Sequence, residues 1–130
     1  MIDCEFLLDK GILVLRAQGP LDAQDFTVLT RQIKAYLVHH EELPGILLRA
    51  KSFPGWKDLD ALFAHLKFLR EFINRIGKVA VVANGALADV MPGIANHFVQ
   101  AQVRHFDFNL EDEALDWIAQ TEKAQANPVV

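Results

Sequence analysis

A single cysteine, Cys4, stands among the 130 residues, so no intramolecular disulfide can form. It reads as a small apolar residue of an early strand. No staple is required, because 52% of the residues are hydrophobic and only 23% are charged, enough to bury a substantial core. No uncharged apolar run reaches the roughly 18–20 residues of a membrane span. The opening "MIDCEF" has no basic region ahead of an apolar run, so no secretory signal is expected. A soluble, reducing, cytoplasmic setting is the expectation. Positive charge is also scarce, with a formal net charge of −4. Nucleic acid and anionic membrane surfaces are therefore not expected partners. A glycine-rich phosphate loop is missing, since "NGALAD" and "MPGIAN" hold one glycine each. The five histidines, His39, His40, His65, His97 and His105, show no metal-ligand spacing. No metal and no cofactor are expected.

What is present is an alternation of strand-like and helix-like segments. "IDCEFLL" and "ILVLRAQ" flank Asp9-Lys10-Gly11 and predict a hairpin, with Ile2, Cys4, Phe6 and Leu8 on one buried face. Asp22 is placed to cap a helix that carries Phe26, Leu29, Ile33, Tyr36 and Leu37 and runs to about His39. Pro44-Gly45 is read as a break before the strand "ILLRA". Asp58 starts a second helix reaching about Arg75, with Gly77 as its stop. "VAVVA" at 79–83 is apolar throughout, as expected of a central strand covered on both faces. Leu87, Val90, Met91, Ile94 and Phe98 fit a third helical region, which Pro92-Gly93 kinks or delays. "QVRHFDF" follows as a strand, and Asn109 is the expected cap of a last helix with Glu111, Asp112 and Glu113 in its first turn. The order ββαβαβαβα predicts one α/β domain over 1–123. Its sheet is five-stranded, mixed and mostly parallel, with helices packed on it, and a flexible tail covers 124–130.

Three segments, "RIGKVAVVAN", "VRHFDFNLEDEALDWIAQ" and the "FPGW" loop, resemble the bacterial SpoIIAA-like family of small, mostly uncharacterised proteins. The resemblance runs from about Ile2 to Ala119. It implies a fold similar to STAS domains, the class that includes anti-sigma-factor antagonists, and also similar to lipid-carrying CRAL-TRIO domains. Two functions come with it. One is protein binding switched by phosphorylation of a serine at the start of the helix after the third strand. The other is the carriage of apolar small molecules.

Ser52 falls in the region of that serine. Its context "AKSFPGWKD" lacks the antagonists' Asp-Ser-Ser-Gly-like segment, and the expected cap, Asp58, comes six residues later. A phosphate on Ser52 would miss the helix N-terminus, so the expectation is a solvated loop serine. No residue set specifies a reaction, and a catalytic role is not expected. On the second helix, Leu59, Leu62, Phe63, Leu66, Leu69, Ile73 and Ile76 form the predicted core stripe. Ala61, Ala64, Phe68 and Phe72 form a second apolar flank. That flank is open to three uses: packing on a neighbouring helix, lining a pocket, or a homodimer contact. The loop aromatics Phe53 and Trp56 sit beyond the carboxyl end of a strand, where open parallel sheets bind ligands. Met91 and Phe108 are placed to reach the same rim. These four are the candidate ligand-binding residues, for an apolar, lipid-like molecule. The alternative is that Trp56 only staples its loop to the second helix. A non-catalytic carrier of an apolar molecule is therefore the leading expectation, and a STAS-type protein-interaction module the second.

Overall fold

The computed structural model describes residues 2–51, 55–84 and 102–120. Its elements are β1 (Ile2–Leu7), β2 (Ile12–Ala17), α1 (Ala23–Leu37), β3 (Leu43–Ala50), α2 (Leu59–Phe72), β4 (Ile76–Ala83), β5 (Gln102–Phe106) and α3 (Glu111–Ala119). A 3-10 turn, Ile73–Arg75, joins α2 to β4. The predicted third helical region falls at 85–101 and the predicted tail at 124–130; both lie outside the described residues.

The five strands form one sheet in the order β1-β2-β3-β4-β5. β1 and β2 are antiparallel. Every later pairing is parallel. The expected mixed, mostly parallel architecture is therefore present. β4 lies between two strands and is buried on both faces, as its apolar run predicts. The middle position belongs to β3.

Alternation along the strands divides the core in two. Leu13, Leu15, Ile46, Val79 and Val81 face α1 and α2 and pack with Phe26, Leu29, Ile33, Phe68, Leu69 and Phe72. Ile12, Val14, Leu47, Ala80, Val82 and Phe106 face the other way and pack with Ala114 and Ile118 of α3. The helices thus lie on opposite faces of the sheet. α1 begins where the sequence places it. The Gln24 amide donates to Asp22 Oδ1 at 2.9 Å, and the Asp22 amide donates to Asp25 Oδ2 at 2.8 Å, a reciprocal capping box. The amide bond lowers the Asp22 pKa, because it favours the charged carboxylate.

Several expectations need correction. Pro44 and Gly45 lie inside β3. Pro44 is tolerated near the strand start, and Gly45 is buried because α3 rests on it: a Cβ there would overlap Ile118 Cγ2. Gly77 belongs to β4, since the helical path already ends in the 3-10 turn. Leu8 belongs to the hairpin turn and is 71% exposed, one residue past the alternating strand. Asn109 does not cap α3. Leu110 occupies the N-cap position without a side-chain bond, because the backbone bond from the Leu110 amide to Asp107 O puts Asn109 inside a turn.

The largest correction concerns α2. Its core residues are Ala61, Phe68, Leu69 and Phe72, while Leu59, Phe63 and Leu66 of the predicted stripe are exposed. Ala64 also packs against the core. The flank offered above as a pocket wall or dimer contact is thus the buried face. Of the three uses left open, packing on a neighbouring helix is the one observed. Phe68 meets Phe26 of α1 at 5.9 Å and Phe72 at 5.2 Å. Ala61 and Ala64 keep the inner face small, and the two rings bury large apolar areas between the helices. A two-fold contact through this flank would require opening the core.

Candidate functional site

Trp56 closes its loop onto the protein. It bridges Leu21 in parallel fashion, the Leu21 amide donating to Gly55 O and the Lys57 amide to Leu21 O, each at 2.8 Å. Its indole Nε1 donates to His65 Nδ1 at 3.1 Å. The imidazole in turn stacks on Phe26 at 5.0 Å. Trp56 therefore staples the loop to α2, and the Nδ1 of His65 accepts, which places a ring proton of the neutral imidazole on Nε2. The indole is still 37% exposed. Asp58 Oδ1 accepts from the Ala61 amide at 2.9 Å, the helix-start role expected of it.

Of the other candidate residues, Ser52, Phe53 and Met91 lie outside the described residues. Phe108 is described, and it belongs to a different neighbourhood from Trp56. The Arg49 guanidinium lies over its ring at 4.2 Å and the Lys51 ammonium at 5.8 Å. Arg49 stands two residues past Leu47, on the α3 side of the sheet, and forms an ion pair with Glu111. Trp56 is tied to the α1–α2 side. The structure thus places these two aromatics on opposite faces and does not bring them into one pocket.

Two features escaped the residue pattern. The first is the outward row of α2, with Leu59 68%, Phe63 61% and Leu66 45% exposed. Their spacing, i, i+4 and i+7, puts them on one helical stripe. The second is a charged cluster at the ends of β2 and β3. Arg16 Nη1 donates to Glu5 and Arg16 Nη2 to Glu111, each at 3.0 Å. The Glu111 hydrogen bond, with Glu5 behind it, raises the Arg16 pKa above its ordinary value. A signal for this cluster was available: β2 and β3 both end in "LRA", and Arg16 and Arg49 are direct register partners.

Among the described residues, no group of three His, Cys, Asp or Glu side chains could hold a metal, and no helix is long and apolar enough to cross a membrane. Cys4 carries a thiol whose pKa is pushed up by burial, then by the carboxylates of Asp25 and Asp3.

A five-stranded mixed sheet with helices on both faces defines a small α/β domain. Comparison with known sequences is specific about which one. Residues 12–119 match the SpoIIAA-like family, and the chain belongs to that family. A solved structure from Shewanella loihica PV-4, an uncharacterised DUF3478-family protein with a SpoIIAA-like fold, is similar in fold. It shares 24% identity, with 91% of this chain and 92% of that one aligned, at a TM-score of 0.67. No curated protein matches the chain. Family and fold together support a non-catalytic interaction module and go no further.

Proposed function

We propose that this protein is a non-catalytic binding module that holds an apolar, lipid-like molecule along the outer face of α2. The observation that supports it is the row Leu59, Phe63 and Leu66, exposed on a helix that already buries a complete second apolar face. A contiguous exposed apolar surface of this kind marks an interaction site. Trp56, partly exposed and one turn before the row begins, adds an amphipathic ring beside it. The ligand contacts supply area rather than hydrogen bonds, which suits a hydrocarbon chain.

A second reading shares the same observation. A straight apolar stripe at i, i+4, i+7 is also what a helix offers to a grooved protein partner, the STAS-type interaction expected from the family. Native mass spectrometry of gently purified protein, followed by organic extraction, separates the two. A co-purifying lipid supports the carrier, and a second polypeptide supports the protein module. Burying a phenylalanine contributes roughly 1.5–3 kcal/mol. Phe63→Ser should therefore weaken either complex about 10- to 100-fold, with little loss of stability because the ring is exposed. Unchanged binding in Phe63→Ser and Leu59→Ser would refute the α2 site.

A further inference from the structure

The cluster at the carboxyl ends of β2 and β3 lies on the face opposite the α2 row and poses a separate question. Arg16 and Arg49 are neighbours on adjacent parallel strands, so their positive charges repel unless something lies between them. Glu111, the first residue of α3, fills that place. It does not serve the two equally. Arg16 takes both carboxylate oxygens, Nη2 to Oε2 at 3.0 Å and Nε to Oε1 at 3.4 Å, and has Glu5 as a second partner. Arg49 reaches only Oε1, at 3.4 Å through Nε, and that buried Nε makes no hydrogen bond. Its outer nitrogens have no partner among the described residues.

Arg49 is nevertheless held in place. Its guanidinium lies on the Phe108 ring at 4.2 Å, and Lys51 approaches the same ring at 5.8 Å. Lys51 is exposed and has no carboxylate partner among the described residues. The local count is three cations, Arg16, Arg49 and Lys51, against two carboxylates, Glu5 and Glu111. Within this ion-paired and ring-stacked set, which does not count the neighbouring Asp107 and Asp112, that is one positive charge in excess, on a chain whose formal net charge is −4. Arg104, on the same face of β5 and stacked on Phe106 at 4.8 Å, adds another. A stacked guanidinium with free outer nitrogens is a preorganised fork, so little side-chain entropy is lost when it binds a planar or tetrahedral oxyanion. The cluster also stands at the carboxyl end of parallel strands, the edge at which open α/β sheets receive ligands.

We infer that Arg49 and Lys51, oriented by Phe108 and Glu111, form a receptor for a phosphate group. The fork of Arg49 takes two oxygens, and the ammonium of Lys51 takes a third. A phosphate monoester, with about −1.5 to −2 charges at neutral pH, matches these two cations, whose own protein partners do not neutralise them. Glu111 sets the position of the arginines and does not touch the ligand.

The test is a phosphorus NMR titration of the full chain with inorganic phosphate and with glycerol phosphate. Saturable binding is expected. Arg49→Gln should weaken it about tenfold or more and Lys51→Gln several-fold, since each removes a charge-assisted contact. Arg70→Gln, exposed on α2 across the sheet, should leave binding unchanged. Co-sedimentation with phosphatidylcholine vesicles, with and without phosphatidic acid, identifies the source. Retention only with phosphatidic acid, lost in Lys51→Gln, would make the phosphate a lipid headgroup. Binding of the soluble phosphates alone would make it a free phosphate compound. If Arg49→Gln fails to fold, Lys51→Gln decides, because that side chain is exposed. Absence of saturable binding, equal weakening by Arg70→Gln, or no effect of Lys51→Gln would overturn the inference.

Discussion

Replacing Gly45 by alanine should push α3 off the sheet. Gly45 sits in β3 with no side chain because Ile118 occupies the space where one would stand. A Cβ would overlap Ile118 Cγ2 and lie 3.3 Å from its Cβ and 3.4 Å from its Cγ1. The obstacle is a β-branched side chain that is 3% exposed and fixed in its own core, so it cannot swing aside. Overpacking of this kind costs about 1–3 kcal/mol. Ile118→Ala costs more, about 2–5 kcal/mol, through lost burial and the cavity left behind. Combined, the two changes are complementary, because the alanine at 45 occupies part of the space that Ile118→Ala vacates. The double variant should therefore be less destabilised than the sum of the singles by about 0.5–3 kcal/mol, the range for residues in contact. Urea unfolding of the four proteins, with constant slopes, measures this coupling. Additivity within about 0.5 kcal/mol would show that Ile118 does not rest on Gly45 and would refute the placement of α3. Because α3 carries Glu111, Gly45→Ala should also loosen the Arg49 cluster, giving weaker phosphate binding without touching a ligand contact.

Phe68→Ala should destabilise the protein by about 3–5 kcal/mol, measured by the same denaturation, since Phe68 is core; a stable, monomeric variant would reverse the assignment of the α2 faces. Lys78, buried on β4, donates from Nζ to Trp117 O at 3.0 Å and Gln120 O at 2.7 Å, so it neutralises the carboxyl end of α3. Lys78→Met should cost about 1–3 kcal/mol by removing the charged donor from Gln120 O and leaving Trp117 O only its bond from the Gln120 amide, and thermal melting at the wild-type midpoint would contradict this. Cys4 should react slowly with a thiol reagent in the native protein and quickly in urea, because its raised pKa leaves little thiolate near neutrality. A thiol whose folded pKa is raised contributes stability below its unfolded pKa and loses that contribution as pH rises through the folded value. Urea midpoints should accordingly fall on the alkaline side more in wild type than in Cys4→Ala, and identical alkaline profiles would count against the shift.

The parts of the fold that the residues predict are those in which local chemistry and tertiary packing agree. Asp22 reads as a cap because its carboxylate has one local use, and "VAVVA" reads as an interior strand because nothing along it is polar. α2 shows the opposite case. Both of its sides are apolar, so periodicity alone leaves two rotations of the helix open. The choice rests on α1, where Phe26 meets Phe68, a contact between residues far apart in the chain. Pro44-Gly45 looks like a break for a similar reason: the glycine answers to Ile118, 73 residues on. The site residues were less legible. Trp56 stands out in its loop, but its partner His65 is ordinary in its own context. The two "LRA" endings become informative only when the parallel register sets Arg16 beside Arg49.

Strand order along the sheet equals the order of synthesis, so every strand that pairs finds its partner already made. Among the described strands none has to insert between two earlier ones, and assembly on the ribosome can advance from β1 outward. The growing edge is then the most recent strand. For as long as β4 holds that place, the sheet ends in Val79–Ala83, an uncharged apolar segment with the open hydrogen-bonding edge from which chains aggregate. β5 closes it with a strand of only five residues that presents exposed Gln102 and Arg104 outward. A chain cut before residue 102 would keep four strands but lose both this closing strand and α3, leaving the β4 edge open and Ile12, Val14, Leu47, Ala80 and Val82 without the residues that cover them.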